Sequence, residues 1–188
     1  MKNKSLLPVL VVPLALMVIP LTASRYAEGW NWGVADYVVA WAMMTGVGFA
    51  YALVTRKSDH VAYRVAAALA LLTAFMIVWG TIAVGFIGSD DNPANVLYGA
   101  VLLTGMIGAG LARFSPAGMA RAMVATAIVQ MLVPVVAYLF WRTDFSPGVP
   151  QVFALNLFFA LLFGVAASLF DHAARRGREG RAAGSFIG

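Results

Sequence analysis

Six long apolar runs, separated by short polar connections, constrain this chain more than any other feature of its sequence. They cover residues 6–22, 37–55, 65–87, 96–112, 122–141 and 152–170. A helix needs roughly 17 to 25 apolar residues to cross a bilayer core of about 30 Å, and every run reaches that lower limit. None shows the period-two alternation of a membrane β-barrel. We therefore predict an all-α membrane protein, a six-transmembrane-helix bundle over residues 1–171 with a basic cytoplasmic tail over 172–188.

The composition agrees with lipid as the solvent for most of the chain. Hydrophobic residues make up 62% of the sequence and charged residues 11%, whereas soluble domains carry about a quarter charged residues. The chain has no cysteine, so disulfides and thiolate chemistry are excluded. His60 and His172 both lie at predicted span ends, where they could not ligate a haem inside the bundle. We expect no cofactor and no resident metal.

The placement of lysine and arginine predicts the orientation in the membrane. Of the 13 basic residues, all but Arg25 and Arg142 fall on one side of the predicted spans. Five of the eight acidic residues fall on the opposite side, namely Glu28, Asp36, Asp90, Asp91 and Asp144. Because basic residues are retained on the cytoplasmic side, both termini are expected there. The net charge of +5 then reflects topology, so the expected partner is the lipid bilayer and not nucleic acid.

The first apolar run has two interpretations. Pro8, Pro13 and Pro20 favour a kinked transmembrane helix, because each proline removes a backbone donor. The two preceding lysines and the polar end at Thr22–Ser24 are also typical of a secretory signal peptide. Cleavage would leave five spans and an N-terminus outside. The kinked span is the preferred interpretation.

Small residues recur on the three helices that are predicted to run inward. They form pairs at small-xxx-small spacing, and the pairs repeat every 59 residues: Gly46 and Ala50, Gly105 and Ala109, Gly164 and Ser168. Such pairs let helix backbones approach closely. The chain could thus consist of three tandem helical hairpins related by rotation. Chance is the alternative, since two-span hairpins with short loops have similar lengths. A true repeat predicts that the three glycine faces converge.

The loop between the third and fourth runs, residues 88–95, is the most informative polar stretch. Asp90, Asp91 and Asn92 offer hard oxygen ligands that a divalent cation would accept. A turn in which Asp91 or Asn92 caps the next helix is the favoured interpretation. Asp36 offers the same alternatives at the start of the second run, where a carboxylate complements the helix dipole.

Two amides, Gln130 and Asn156, are the strongest polar candidates within the spans. Unsatisfied polar groups are costly in lipid, so we expect them to form interhelical hydrogen bonds. Contact with a transported solute is the sharper alternative. Tryptophan and tyrosine residues, Tyr98 among them, lie mostly toward the side opposite the basic residues, as in an interfacial aromatic belt.

Two stretches resemble a group of small bacterial inner-membrane proteins that have no assigned activity. They are residues 83–95, which contain the sequence GSDDNPAN, and residues 51–57. The resemblance extends over most of the chain. It implies a bacterial inner membrane and brings no mechanism with it.

Three classes of function fit these features. A non-enzymatic scaffold or accessory subunit of a membrane complex is expected first, with other membrane subunits as partners. The alternative is a conduit or transporter for a small solute or ion, formed as a homo-oligomer, that uses Gln130, Asn156 and the acidic residues of the outer side. A lipid-active enzyme comes third, because no acid–base pair is evident. A water-filled cavity that reaches either amide would favour the conduit.

Overall fold

The computed structural model describes residues 7–26, 32–141 and 145–185. The structure is 84% helical, and the described residues contain no strand. Six helices are long and apolar enough to cross a membrane. These findings confirm the predicted all-α class with six spans and make the chain a multi-pass membrane protein. It divides into two compact units, Met1–Leu53 and Val54–Gly188.

The first unit contains α1 (Leu7–Leu16), α2 (Val18–Tyr26) and most of α3 (Val34–Thr55). α1 and α2 together form the first span, which is interrupted by a turn at Met17. Pro20 has no N–H to bond the carbonyl of Leu16, so the helix breaks where that hydrogen bond cannot form. The interruption lies between two of the prolines that favoured a kinked span, Pro13 and Pro20.

Close contacts join the helices of the first unit. The hydroxyl of Tyr37 donates to the carbonyl of Pro20 at 3.5 Å. A Cβ built on Gly48 would lie 3.1 Å from the Val9 side chain, so the missing side chain allows α3 to approach α1. α3 therefore contacts α2 through a hydrogen bond to the Pro20 carbonyl and approaches α1 closely at Gly48.

The second unit contains four helices of membrane-spanning length. They are α4 (Val61–Ala83), a 3-10 helix (Pro93–Leu97) that leads into α5 (Tyr98–Leu111), α6 (Pro116–Phe140) and α7 (Val149–Ser185). α6 packs extensively on both α5 and α7, and α7 also packs on α4. α6 and α7 therefore form the centre of this unit.

The buried positions of α6 and α7 follow a seven-residue period. In α6 they include Met119, Met123, Thr126, Gln130, Val133 and Ala137. In α7 they include Val152, Asn156, Phe159, Phe163, Ala166, Phe170 and Ala173. Steps that alternate between three and four residues produce a straight seam between helices that cross at a shallow angle. Both amides predicted as polar candidates lie on these seams.

Several helix ends differ from those of the predicted runs, and two of them change the description of a segment. α4 ends at Ala83, whereas the third apolar run extends to residue 87. Gly85 adopts a φ of +68°, a left-handed conformation that glycine accepts readily, and a Cβ there would collide with the backbone of Ser89. The chain therefore turns at this point. At the other end, α7 continues to Ser185, so most of the predicted tail prolongs the last helix.

Candidate functional site

Three polar side chains from α5, α6 and α7 meet in the core of the second unit. Gln130 Nε2 donates to Asn156 Oδ1 at 2.8 Å, and Asn156 Nδ2 donates to the Tyr98 hydroxyl at 3.0 Å. Asn156 Nδ2 also donates to the carbonyl of Val152 at 2.8 Å. The structure thus brings the two predicted amides together and adds a tyrosine. We call Tyr98, Gln130 and Asn156 the polar network.

The polar network is closed to water. Gln130 and Asn156 are 0% exposed, and Tyr98 is 2% exposed. Because exposure measures the surface that a water molecule can touch, no water-sized space adjoins either amide in the described part of the chain. Gln130 Oε1 has no hydrogen-bond partner among the described residues. The network therefore resembles an interhelical clamp more than the lining of a passage.

Tyr98 departs from the expectation of an interfacial belt. It is the first residue of α5, and its ring lies inside the unit with its hydroxyl bonded to Asn156. A tyrosine at a helix start suits the membrane interface and the bundle core equally well by sequence. One signal in the sequence could have identified Tyr98. A buried asparagine amide needs acceptors for both of its N–H groups, and a tyrosine hydroxyl can supply one of them.

The loop that follows α4 packs directly on the polar network. The ring centroid of Phe86 lies 5.4 Å from that of Tyr98 and 5.5 Å from that of Phe159. A Cβ on Gly80 would overlap the Phe86 ring, so this glycine creates the space that the ring occupies. Phe86 therefore joins α4, α5 and α7 beside the network.

Asn95 fixes this loop through four hydrogen bonds. Its Oδ1 accepts the N–H groups of Phe86 and Ile87, each at 3.1 Å. Its Nδ2 donates to the carbonyls of Ile87 at 3.2 Å and Ser89 at 2.7 Å. A loop buried beside apolar helices must satisfy its backbone groups internally, and a single amide does so here. No pattern in the sequence indicated this role of Asn95.

In the same loop, Asn92 is bonded to the backbone, whereas its neighbours Asp90 and Asp91 are exposed. Asn92 Oδ1 accepts the N–H of Ala94 at 2.9 Å and so caps the 3-10 helix, as the favoured interpretation predicts. Asp90 and Asp91 are exposed. Among the described residues, no group of three histidine, cysteine, aspartate or glutamate side chains is placed to hold a metal ion. The loop is built as a turn and a cap.

Asp36 caps α3 in the first unit. Its Oδ2 accepts the N–H of Gly33 at 2.7 Å, three residues before it. This bond, which is one half of a capping box, satisfies a backbone donor at the helix start that has no helical partner. The carboxylate also complements the positive end of the helix dipole. Of the other charges predicted on that side, Glu28, Arg142 and Asp144 lie outside the described residues.

The predicted small-residue faces are used only in part. Gly105 lies against α6, since a Cβ there would be 3.5 Å from Thr126 Oγ1. A Cβ on Gly46 or Gly164 would meet nothing within 4 Å. Of the residues that complete the pairs, Ala50 and Ala109 are half-buried and Ser168 is exposed.

Within the second unit, Gly105 faces a neighbouring helix whereas Gly164 faces open space, so the small-residue face predicted for the last span does not pack on another helix of that unit. In α7 the reason is visible in the packing. The face that packs on α4 and α6 carries large side chains such as Phe159 and Phe163. Gly164 and Ser168 fall between these seam positions and are exposed.

The fold and the polar network define a class: an all-α, multi-pass membrane protein whose core polar side chains bond to one another across helices. No protein-family model, curated protein or solved structure matches the chain. Functional inference therefore depends on the geometry of the chain itself.

Proposed function

We propose that this protein is a non-enzymatic scaffold or accessory subunit of a membrane complex, in the bacterial inner membrane. The polar network is the observation that carries the proposal. Gln130 and Asn156 bond across α6 and α7 at 2.8 Å with no exposure to water. Buried polar contacts of this kind specify which helices pair and in which register. A scaffold requires such a fixed arrangement.

The loop beside the network supports the same proposal. Asn95 uses both its amide oxygen and its amide nitrogen to hold the Phe86 segment. Phe86 in turn packs on Tyr98 and Phe159. A solute that approached Tyr98 from this side would first have to displace a loop with satisfied hydrogen bonds. The arrangement favours a static element over a gate.

We also propose that the end of the second unit where α4 and α6 begin faces the cytoplasm. Tyr63, in the first turn of α4, donates its hydroxyl to the carbonyl of Phe114 at 2.7 Å and packs on Phe170 at 5.0 Å between ring centroids. These contacts gather the ends that carry Arg64, Arg113, Arg121, Arg175, Arg176 and Arg178. Retention of basic residues on the cytoplasmic side supports this orientation, and six spans then place both termini inside.

The unpaired Oε1 of Gln130 favours a second candidate, a conduit for a small solute or ion. A free acceptor in the core could receive a hydrogen bond from a passing solute. That reading requires space beside Gln130, whose exposure is 0%. The conduit is therefore the alternative and not the conclusion.

Native mass spectrometry of the full chain, purified in a mild detergent, tests the scaffold proposal. We expect a stoichiometric complex with a second membrane protein, recovered again when the tag is placed on that partner. Proteoliposomes that contain the chain alone should show no more solute or ion flux than empty liposomes. A homo-oligomer without a partner, or flux that Asn156→Leu abolishes, would contradict the scaffold and support the conduit.

A further inference from the structure

One end of the second unit carries a concentrated positive charge. Eight basic and three acidic residues lie there among the described side chains, counting the turn before α4 and the end of α7. Seven of the eight are exposed arginines. Besides Arg56, which directly follows α3, they lie on or next to α4, α6 and α7: Arg64, Arg113, Arg121, Arg175, Arg176 and Arg178. We call these six residues the arginine cluster. The acidic residues are Asp59, Asp171 and Glu179, so the charge is far from balanced.

Tyr63 holds three segments of the arginine cluster in place. It is 0% exposed, and it contacts the backbone of Phe114 and the ring of Phe170. Arg113 and Phe114 have φ values of 46° and 58°, a left-handed conformation that non-glycine residues adopt at a cost. The hydrogen bond to Tyr63 stabilises that turn. Arg64 and Arg113, which are next to Tyr63 and Phe114 in the sequence, are thereby kept on the same surface as the part of α7 that follows Phe170.

The length of α7 sets the depth of its arginines. Its 37 residues correspond to about 56 Å of helix, against a hydrocarbon core of about 30 Å. The first charged residue after the apolar stretch is Asp171, and Arg175 follows about 6 Å further along the axis. Each headgroup layer is roughly 5–7 Å thick. Arg175 and Arg176 therefore fall at the depth of lipid phosphates, and Arg178 lies just beyond them.

Most of the donors in the arginine cluster remain available to a ligand. Arg175 Nε donates to Asp171 at 2.8 Å, and Arg121 Nε donates to the carbonyl of Ala117 at 3.4 Å. Both bonds use Nε, so the terminal nitrogens of these two guanidinium groups are left for other acceptors. Guanidinium groups bind phosphate oxygens in pairs of parallel hydrogen bonds.

We propose that the arginine cluster is a binding surface for the phosphate groups of anionic phospholipids. Charge complementarity identifies the ligand chemistry, and the depth of Arg175 and Arg176 identifies the lipid headgroup as its source. Basic pockets between membrane helices recognise anionic headgroups in this manner. The surface would act whether the protein is a scaffold or a conduit, because it lies at the end of the unit and away from the polar network.

Lipid titration of the full chain, followed by native mass spectrometry, tests the proposal. Phosphatidylglycerol is the anionic probe and phosphatidylcholine, which has no net charge, is the reference. We expect phosphatidylglycerol to bind about tenfold more tightly, and the double variant R64Q/R113Q to lose most of that tenfold preference. Its affinity for phosphatidylcholine should not change. The charge-preserving variant R64K/R113K should keep most of the preference.

Arg25→Gln is the matched control, because Arg25 is an exposed arginine in the last turn of α2 outside the cluster. It removes one arginine charge, half of what the double variant removes, and should leave the lipid preference unchanged. Circular dichroism and gel filtration check that each variant is folded. If R64Q/R113Q does not fold, Arg176→Gln replaces it, since Arg176 lies at the depth of the lipid phosphates, is exposed, and its substitution should not disturb packing.

Several results would overturn the proposal. One is equal affinity for the two lipids, and another is an equal loss in the Arg25→Gln control. Full competition by excess inorganic phosphate would show a site for the free anion and not for a membrane headgroup. Loss of a bound acidic protein in R64Q/R113Q, with lipid binding unchanged, would assign the surface to a protein partner.

Discussion

Asn156 is the residue on which the core of the second unit depends most. Its Oδ1 accepts from Gln130, and its Nδ2 donates to both Tyr98 and the carbonyl of Val152. In a bilayer there is no water to replace a lost partner inside the protein. The energetic consequence of a substitution therefore depends on which polar groups it leaves behind.

Replacement of Asn156 by leucine should destabilise the protein more than the loss of one hydrogen bond suggests. The substitution leaves Gln130 and Tyr98 without their partner, and an unsatisfied buried polar group costs about 1–3 kcal/mol. We expect the free energy of unfolding in detergent to fall by about that amount. The double variant Q130L/N156L should recover part of the loss, because no amide is then left unpaired.

Ser168→Ala is the control for this prediction, since Ser168 lies on the same helix and is exposed. It should change the unfolding free energy by less than about 0.5 kcal/mol. The amides would not act as a pair if the double variant lost as much free energy of unfolding as the two single variants lose together, or more.

At the scale of elements, the seams of α6 and α7 decide which glycines matter. Gly80 makes space for Phe86, whereas Gly164 faces open space on the far side of α7. Both lie within helices, and the spacing of small residues singled out Gly164 and not Gly80. Their packing predicts opposite effects of the same substitution.

Gly80→Ala should destabilise the protein, and Gly164→Ala should not. A methyl group on Gly80 would overlap the Phe86 ring, and overpacking of this kind costs about 1–3 kcal/mol. Alanine at Gly164 meets nothing and should stabilise the helix by roughly 0.5–1 kcal/mol. Equilibrium unfolding of both variants measures the difference. Equal effects at the two sites would contradict the packing of the Phe86 loop.

The comparison of Gly80 with Gly164 shows how far the sequence could predict this fold. The six spans follow from the length of the apolar runs alone, because a helix must be long and apolar enough to cross the hydrocarbon core of the bilayer. The seven-residue seam could not be predicted, since the side of each helix that faces lipid is as apolar as the side that faces protein. Small-residue spacing selected Gly164 for packing, but the phenylalanine seam of α7 turns it outward.

The candidate site was predictable to a similar degree. Gln130 and Asn156 stood out because amides are costly in lipid, and the sequence correctly indicated an interhelical bond. Their bond to each other, and the addition of Tyr98, depend on which helices face each other, which no local pattern encodes. The role of Asn95 was missed because the four backbone groups that it bonds lie in a loop, and the path of that loop is set by Gly85 and Phe86.

At the scale of the whole molecule, the central question is how the chain lies in the membrane and whether water enters it. The sequence contains no cysteine, so single introduced cysteines report on accessibility without background. Ser89 and Ser115 are both exposed. They lie in the loop after α4 and in the turn before α6, which are opposite ends of the second unit.

Orientation can be read from these two positions. In intact cells, a membrane-impermeant maleimide should label Ser89→Cys from outside and leave Ser115→Cys unlabelled. Opening the cells should make Ser115→Cys reactive. This result follows from the basic end facing the cytoplasm. Labelling of Ser115→Cys in intact cells would reverse the proposed orientation and, with it, the side of the arginine cluster.

The most direct test of the account is the accessibility of the seam beside the polar network. Thr126 lies one turn from Gln130 on α6 and is 1% exposed, and cysteine is close to threonine in size. In proteoliposomes, Thr126→Cys should stay unlabelled by a water-soluble maleimide from either side and become reactive only on unfolding, while Ser89→Cys labels readily. Rapid labelling of Thr126→Cys in the folded protein would reveal water beside the network and contradict a closed scaffold.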